Sequence, residues 1–472
     1  MPDEAILNFN LFAPADITVN ERDETRVRES VFGRINYAYD NRFLASVSLR
    51  RDGDSRFGAN KRYETFPALS FGWNIHNEAF LQNSELLSQL KVRFSTGSLG
   101  TTSFLGSYDS LSLLSPAATI YGTGFLIPSN SPNTDLTWQT NTETNFGVDL
   151  GFLNNRFTLG VDYYTSNIEN ILINQAQSEV LGNPTSILNV GDVKSSGLEF
   201  ELSARLIDNG TFGWNMNANL STVDTEITYL GGLDELPQQI FGQSGRGAVF
   251  RNYVGGGIGE MWGLETTEAI GYEYLTDGSR HPNSMPDASY VVDQNGDGII
   301  DRTRSVADGG DLVKIGQNTP DFYWGMSHNL RYKEFDMSLQ FQGSHGADVY
   351  NIDPLYYGSQ WGGRVSGIPT PTDGTIIERN RNQTDHILQD ASFVALRNLT
   401  IGYTLNSDLI KNVGLSSVRA YLAGSNLLYI FGDDYTSYNP EGVKGTDPTT
   451  YGAQVGASPI VRSFTLGLNV NF

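Results

Sequence analysis

An acidic segment between residues 293 and 301 has the composition and spacing of a calcium-binding loop. It reads D-x-N-x-D-G-x-x-D, which places the side-chain oxygens of Asp293, Asn295 and Asp297 at alternate positions. The carbonyl of Ile299 and the carboxylate of Asp301 would extend this set of hard oxygen ligands. We expect Ca²⁺ rather than Mg²⁺, because every ligand in the motif is a protein oxygen, and we expect the ion to be structural.

The segment departs from a complete EF-hand at its twelfth position, where Arg304 stands in place of a bidentate glutamate. Asp308 or Asp311 could supply the missing carboxylate. The alternative reading is an Asx-rich turn on an acidic loop, which needs no ion. The sequence leaves both readings open.

A second group of residues that could bind a ligand or a partner is aromatic. Tyr350, Tyr356, Tyr357 and Trp361 lie close together among polar neighbours, in a region without strand periodicity. Aromatic rings of this kind stack on sugar faces or anchor a protein partner. We therefore predict contact with a ligand or a partner here, with packing inside their own loops as the alternative.

Motifs for catalysis are missing from the sequence. The five histidines form no H-E-x-x-H pattern and no G-x-S-x-G elbow occurs. The glycine run at 255–259 is followed by Glu260, so it lacks the spacing of a dinucleotide-binding loop. Carboxylates are plentiful, so a glycosidase carboxylate pair is the one catalytic alternative that inspection of the sequence leaves open. We predict that the protein is not an enzyme.

Charge and composition narrow the class of protein further. The 472 residues carry 53 acidic and 31 basic side chains, for a net charge of −22, and contain no cysteine. Nucleic-acid binding is disfavoured because it needs clustered lysine and arginine. Thiolate metal sites and disulfides are excluded. No apolar stretch approaches the ~20 residues of a membrane helix, but a transmembrane β-barrel remains possible because its strands are apolar only at alternate positions.

Period-two alternation recurs along the chain and predicts the strands that would position these segments. In 42–51, for example, Phe43, Ala45, Val47 and Leu49 share one face, with mainly polar residues opposite. The polar positions are rich in Asn, Ser, Thr, Gly and Gln, which is typical of a wet barrel lumen. Strands are predicted at 5–12, 28–39, 42–51, 65–75, 90–97, 138–152, 156–167, 195–206, 212–222, 320–331, 334–344, 391–405, 417–428 and 459–472.

The connections between these strands alternate between short and long. Turns such as 40–41, 153–155 and 332–333 are followed by long segments such as 98–137, 168–194, 223–319 and 345–390. Aromatic residues gather near the strand ends, including Trp73, Trp138 and Phe335, where the interfacial girdle of a membrane barrel would place them. Together these features predict an all-β fold, an antiparallel transmembrane β-barrel with short periplasmic turns and long extracellular loops. A soluble sandwich is the alternative, although such domains rarely carry so many long loops.

Many short blocks, in order from residue 31 to the C-terminus, resemble one family. They include VFGRINY (31–37), ASVSLRRDGDSRFG (45–58), TFPALSFGW (65–73), LTW (136–138), FGVDLGF (146–152), VDYY (161–164), NVG (189–191), GLEF (197–200), PDF (320–322), FQG (341–343), LRNLTIGY (396–403) and GSNLL (424–428). The chain thus resembles the SusC/RagA-like TonB-linked outer-membrane proteins. The resemblance implies import of oligosaccharides, or of peptides, through a 22-stranded barrel that encloses a plug. It also implies a SusD-like surface lipoprotein as a lid and TonB as the energy source.

The sequence differs from the family pattern at its N-terminus, where no signal peptide or plug domain is recognisable. We expect residues 1–472 to be the C-terminal barrel portion, about 14 of the 22 strands. An unpaired edge is then expected near 5–12, and coupling to the TonB complex would need the plug. The resemblance further implies that Phe472, as a terminal aromatic residue, is the barrel-insertion signal; a rim aromatic is the alternative.

These observations lead to one functional prediction with two alternatives. We predict an outer-membrane importer of oligosaccharides that works with a SusD-like lipoprotein. The first alternative is a peptide importer of the same family, and the second is a calcium-stabilised surface-binding β-protein. The long segment 223–319, which carries the calcium-type loop, is expected to be an extracellular insertion that faces the lid.

Overall fold

The computed structural model describes most of the chain. The described residues are 24–102, 105–116, 126–128, 131–176, 185–236, 250–266, 292–297, 309–351, 384–385, 388–405, 414–433, 435–443, 449–454 and 456–471. The predicted strand at 5–12 and Phe472 lie outside them.

Nearly all of the regular structure in this part of the chain is β-strand. The strands are β1 (Arg28–Tyr39), β2 (Phe43–Asp54), β3 (Tyr63–Asn74), β4 (Leu87–Thr101), β5 (Leu114–Pro116), β6 (Leu126–Pro128), β7 (Gln139–Phe152), β8 (Phe157–Ala176), β9 (Thr185–Asp208), β10 (Phe212–Ser221), β11 (Asp224–Tyr229), β12 (Phe250–Arg251), β13 (Glu260–Leu264), β14 (Leu312–Gln317), β15 (Phe322–Tyr332), β16 (Phe335–His345), β17 (Asp348–Asn351), β18 (Leu388–Asp390), β19 (Phe393–Thr404), β20 (Ser417–Phe431), β21 (Ala453–Gln454) and β22 (Ser463–Asn471). A three-residue 3₁₀ helix spans Ile75–Asn77. No helix among the described residues is long and apolar enough to cross a membrane.

One large antiparallel sheet organises the fold. Its strands follow the order β1-β2-β3-β4-β7-β8-β9-β10-β15-β16-β19-β20-β22, and β11 adds a fourteenth strand beside β9. The thirteen strands of the main path correspond one to one with the predicted strands after 5–12. Sequential antiparallel pairing through short turns is the arrangement that the alternating connection lengths predict.

The short turns take backbone conformations that suit their residues. Asp40 and Asn41, between β1 and β2, both have φ of 51°, and Asn154 and Asn155, between β7 and β8, have φ of 57° and 56°. Positive φ at consecutive turn residues matches the right-handed twist of a two-stranded ribbon, and Asn and Asp tolerate it better than most residues. These turns set the strand register, and a slip of one residue would reverse the two faces of the sheet.

The register aligns apolar residues with apolar residues and polar residues with polar residues, so that each type forms continuous rows on one of the two faces of the sheet. On the apolar face, Ile35 pairs with Val47, which pairs with Leu69. On the opposite, polar face, Ser46 pairs with Ser70. The apolar side chains are not covered by other parts of the described chain, and Leu466 on β22, for example, is 83% exposed. An exposed apolar face over the whole sheet is what a lipid-facing surface requires.

Aromatic residues collect on the apolar face next to the short turns. The rings of Phe43 and Trp73 are stacked with centroids 5.9 Å apart, and those of Phe335 and Tyr403 are 4.7 Å apart. Such a row fits an interfacial girdle, where aromatic rings sit at the level of the lipid headgroups.

Trp138 does not belong to this girdle, and its assignment from sequence was wrong. Its side chain is only 3% exposed and lies in a buried cluster with Phe57, Phe66, Leu105 and Leu136. The indole donates a hydrogen bond to the carbonyl of Arg62 over 3.2 Å. A tryptophan near a strand end can pack against loops or against lipid, and the local pattern is the same in both cases.

The prediction of a long loop over 168–194 was also wrong. β8 and β9 contain 20 and 24 residues, and their pairing continues through Ile171 and Gly191. The register is irregular between Ile168 and Leu172, where Asn170 adopts a φ of 59°. Extra residues at a bulge interrupt the alternation of side chains, which is why a period-two pattern missed the outer half of this hairpin.

The long connections also carry strands, which pack into a surface-loop cap formed by β12–β14, β17, β18 and β21. β12–β14 form one small sheet, and β18, β17 and β21 form another. Their shared core contains Phe250, Met261, Tyr350 and Ala453. The backbone N–H of Gln317 donates to the Asp348 carboxylate over 3.0 Å, which ties the two sheets together. The core lets connections far apart in sequence stabilise one another.

Candidate functional site

The polar face of the sheet holds partly buried ion pairs between residues on different strands. Arg93 on β4 donates from Nε and Nη2 to both carboxylate oxygens of Asp149 on β7, over 2.9 and 2.8 Å. The same Nη2 reaches Asp162 on β8 over 2.8 Å. Gly147 lies between them, and a Cβ at this position would collide with the Asp162 carboxylate and lie 2.8 Å from Arg93 Cζ. The absence of a side chain at Gly147 therefore makes room for the pair.

The arrangement recurs at the other end of the sheet. Arg419 on β20 donates from Nε to Asp336 on β16 over 2.9 Å, and a Cβ at Gly402 on β19 would collide with both side chains. Bidentate arginine–carboxylate pairs combine charge with fixed geometry. The contacts Arg93–Asp162 and Arg419–Asp336 each cross an intervening strand, and they neutralise positive charge on the polar face.

A cavity of about 660 Å³ lies against β8, β9, β10, β15 and β16. Its polar lining comes from alternate positions of these strands, namely Asp162, Glu199, Glu201, Asn217, Asn219, Ser221, Tyr323, Ser327, Gln340 and Gln342. No lysine, arginine or histidine belongs to this lining as formed by the described residues. The volume is sufficient for two or three sugar rings or a short peptide segment.

The carboxylates occupy one side of this cavity. Glu199 is directly opposite Asp162 in the β8–β9 register, and Glu201 is opposite Gly160. Both glutamates are exposed to the cavity, and neither has an ion-pair partner in the described part of the chain. Sequence reasoning missed them as functional residues, although the alternation in GLEF and its continuation does place both on the polar face.

The surface-loop cap contains a second polar centre, at Glu260 on β13. Its carboxylate accepts hydrogen bonds of 3.0 Å from the Gly257 N–H, from Trp262 Nε1 and from Lys314 Nζ. Burial by itself would raise the pKa of Glu260, but these three donors outweigh burial and lower it. The neighbouring Tyr253 has its pKa raised to about 12 by burial and by the negative charge of Glu260.

Of the four aromatic residues predicted to contact a ligand or partner, Tyr350 is described and the other three, Tyr356, Tyr357 and Trp361, lie outside the described residues. Tyr350 is 2% exposed and meets the ring of Phe250 edge-on, with centroids 6.5 Å apart. Its side chain thus has the alternative role, packing within the loops.

The described part of the calcium-type segment forms a compact polar turn. The N–H groups of Gly296 and Asp297 donate to Asp293 Oδ1 and Asn295 Oδ1, over 2.7 and 3.0 Å. Asp311, which is fully buried, accepts from the N–H of Gln294 over 2.9 Å, so the structure brings it to this turn. Ile299 and Asp301 lie outside the described residues. Among the residues described, no three acidic or histidine side chains converge as metal ligands do, so the calcium site stays a prediction.

Comparison with known proteins identifies the family to which this fold belongs. Residues 3–301 match the model of a family described as "TonB dependent receptor-like, beta-barrel", which is more than half of the chain. The chain belongs to this family. The predicted resemblance, the all-β antiparallel fold and the outer-membrane location are thereby confirmed. In such a barrel, the apolar face meets lipid and the polar face lines the lumen.

Named relatives of this TonB-dependent receptor barrel come from two organisms. TonB-dependent receptor P3 of Formosa agariphila is 31% identical over 472 residues, covering 94% of this chain and 45% of the relative. TonB-dependent receptor SusC of Bacteroides thetaiotaomicron is 28% identical over 491 residues, covering 97% of this chain and 45% of SusC. The chain spans about half the length of these relatives.

A solved structure supports the same architecture. The RagAB peptide transporter structure matches with a TM-score of 0.75 at 22% identity, covering 98% of this chain and 50% of the matched chain. At this identity, the match shows the fold. It places the thirteen consecutively paired strands in the wall of a barrel of this type.

Proposed function

We propose that the chain forms a large part of the barrel of a SusC-like importer, which takes up oligosaccharides across the outer membrane. The observation that carries the proposal is the lumen-facing cavity of about 660 Å³, whose amides, hydroxyls and carboxylates come from five adjacent strands. Closely spaced hydrogen-bonding groups of this kind suit a ligand covered with hydroxyls. The relationship to SusC of Bacteroides thetaiotaomicron supports the proposal.

A peptide importer is the second candidate, and one observation favours it. A solved structure with the same fold is that of a peptide transporter, RagAB. The same amides and carboxylates could also pair with the backbone of an extended peptide. The nature of the cargo therefore needs a direct comparison of both ligand classes.

In this proposal the barrel does no covalent chemistry. Its family is one of transporters, and the complete protein would work with a SusD-like lipoprotein as a lid and with the TonB complex through a plug domain. The surface-loop cap is suited to meet the lid because its core fixes several loops in one orientation. Tyr356, Tyr357 and Trp361 would contact the lid or the cargo.

Calcium is proposed as a structural ion of the cap. Asp293, Asn295 and Asp297 would supply side-chain oxygens, and the carbonyl of Ile299 and the carboxylate of Asp301 would extend the set. Asp311 lies against the same turn and already orders it through the Gln294 N–H. These are hard oxygen donors of the kind that Ca²⁺ prefers. Such an ion would stabilise a long acidic loop without taking part in transport.

Uptake by cells tests the proposed function. The full-length gene is deleted and restored, and the uptake of labelled oligosaccharides is measured beside that of labelled peptides of equal mass. Gene-dependent uptake of oligosaccharides is expected, together with loss of uptake in a strain that lacks the TonB complex. Gene-dependent uptake of peptides alone would exclude the glycan importer in favour of the second candidate.

Replacing Tyr356, Tyr357 and Trp361 with alanine tests the proposed contact region. Co-purification with the lipoprotein, or oligosaccharide uptake, should fall in the triple variant. Alanine at Tyr438, an exposed loop tyrosine, is the matched control. Unchanged lid binding and unchanged uptake in the triple variant would remove these residues from the site.

A further inference from the structure

The connection between β3 and β4, residues 75–86, lies on the same rim as the short turns and exposes apolar side chains. Phe80 is 73% exposed and Leu86 is 62% exposed. Leu153, in the turn between β7 and β8, is also exposed, and its backbone N–H donates to the carbonyl of Leu86 over 2.9 Å. These three side chains, the rim patch, present apolar surface that the described part of the chain leaves uncovered.

Glu78 fastens this connection to the edge of the lipid-facing surface. Its carboxylate accepts hydrogen bonds from Arg42 Nε over 3.0 Å and from the indole Nε1 of Trp73 over 2.9 Å. The Trp73 ring itself stacks on Phe43 in the interfacial girdle. Phe80 follows Glu78 by two residues, inside a turn that is closed by a hydrogen bond to the Glu78 carbonyl. The structure therefore holds Phe80 next to the girdle.

Positive side chains accompany aromatic rings at the neighbouring turns. Arg156 Cζ lies 5.5 Å from the centroid of the Phe157 ring, and Lys333 Nζ lies 5.6 Å from the centroid of the Tyr332 ring. Both rings belong to the apolar face of the sheet, so each cation lies where that face ends. A cation at this level is opposite in charge to the phosphate groups of the lipid headgroups.

We propose that the rim patch docks into the membrane, where Phe80, Leu86 and Leu153 enter the boundary between headgroups and acyl chains of the periplasmic leaflet. Arg156 and Lys333 hold phospholipid phosphates beside them. Lipid is the partner because the patch continues a surface that already meets lipid and because the flanking charges complement phosphate. The turn gives no reason for leucine at position 153, since its φ of 51° favours Asn or Gly. The docking goes beyond the proposed function, because it concerns the seating of the barrel and not its cargo.

Spin labels on the purified full-length protein test the docking. Phe80→Cys, Leu86→Cys and Leu153→Cys are labelled singly, in a form of the protein that has no other cysteine, and reconstituted in vesicles of phosphatidylethanolamine and phosphatidylglycerol. Collisions of each label with oxygen, which concentrates in lipid, and with a water-soluble nickel complex report its depth. We expect all three labels to favour oxygen, as a reference label at Leu69 on the lipid-facing surface should.

Asn83→Cys is the matched control, because Asn83 is an exposed polar residue of the same connection. Its label should favour the nickel complex. A preference of the Phe80 and Leu86 labels for the nickel complex would overturn the docking. Protection of both labels from both reagents would overturn it as well, since protein and not lipid would then cover the patch. Heat-dependent mobility in gels, which distinguishes folded from unfolded barrels, confirms that each variant is folded.

Lipid binding measured by native mass spectrometry tests the two cations. Arg156→Gln with Lys333→Gln should weaken the most tightly retained phosphatidylglycerol about two- to fivefold, with a smaller effect on phosphatidylcholine, whose choline offsets the phosphate charge. Arg156→Lys should retain the affinity, which separates the charge from the hydrogen bond that Arg156 donates to the Arg205 carbonyl.

Arg331→Gln is the matched control for the charge experiment. Arg331 is an exposed cation beside the same turn as Lys333, but it lies on the polar face of β15. This variant should bind phosphatidylglycerol as the original protein does. Equal affinity of the original protein and the double variant for phosphatidylglycerol would overturn the phosphate contacts.

Discussion

Arg93 Nη2 lies 2.8 Å from Asp162 Oδ2 and reaches it across an entire intervening strand, at Gly147, where that strand has no side chain. The three positions Arg93, Gly147 and Asp162 share one register row. A glycine in a strand interior costs stability by itself, so its presence here is explained by the charge pair that it admits.

Adding a methyl group at Gly147 should therefore destabilise the barrel. Gly147→Ala would push apart Arg93 and Asp162, and we expect a loss of about 1–3 kcal/mol in the free energy of unfolding, as for other overpacked positions. The measurement is the midpoint of urea unfolding in lipid vesicles.

Gly160→Ala is the matched control for this experiment. Gly160 lies on the polar face of the adjoining strand, and the nearest atoms to its Cβ position are 3.9 Å away. This variant should be as stable as the original protein or slightly more stable, because alanine loses less entropy than glycine on folding. Equal destabilisation at both glycines would show that the ion pair is not the reason.

Tyr350 should contribute to the stability of the surface-loop cap. Tyr350→Ala removes a ring that is 2% exposed and packed on Phe250, which typically costs about 3–5 kcal/mol for a buried aromatic residue. We expect faster proteolysis of the loops. Tyr438→Ala, at a residue 65% exposed, should change the rate little. If the two variants were cleaved at the same rate, Tyr350 would have no role in the cap core.

Acid should destabilise the surface-loop cap, because it protonates the Glu260 carboxylate. The pKa of this carboxyl is lowered in the folded protein, where burial is outweighed by donors from Gly257, Trp262 and Lys314. Its contribution to stability is therefore complete above the unfolded value of 4.5 and is lost as the pH falls through the lower folded pKa. Hydrogen exchange at β13 should accelerate as the pH is lowered below about 4.5, after correction for intrinsic exchange.

Glu260→Gln isolates this effect, because glutamine keeps an acceptor oxygen but does not titrate in this range. The variant should be less stable than the original protein at neutral pH, and its stability should depend less on pH between 5 and 3. An unchanged pH dependence in the variant would assign the acid sensitivity to other carboxylates.

Removing calcium should lower the stability of the long acidic loop. We expect the thermal midpoint of the cap to fall when a chelator replaces Ca²⁺, and Mg²⁺ to restore it poorly. Asp293→Ala with Asp297→Ala should abolish the dependence on Ca²⁺, whereas Asp385→Ala, which removes a separate hydrogen bond to Thr266, should keep it. Identical midpoints with Ca²⁺ and with chelator would leave the Asx-rich turn as the explanation.

The sequence by itself determined the architecture, because the evidence for it is local. Alternation of apolar and polar residues, as in the strand that contains Val47, predicts a strand and its two faces within a few residues. Turn residues such as Asp40 and Asn41 predict which strands are neighbours. All thirteen strands of the main path follow from these two signals.

Tertiary structure alone decided which residues meet. The bulge near Asn170 interrupts the alternation, so the extent of the β8–β9 hairpin could not be read from its pattern. Trp138 and Tyr350 look like surface aromatics in sequence and are buried, because their partners come from distant segments. The cavity likewise exists only because two distant parts of the chain, β8–β10 and β15–β16, bring Glu199, Glu201 and the opposing amides to one face. Contacts of this kind depend on bulges and on the packing of distant loops, and neighbouring residues alone do not encode either of them.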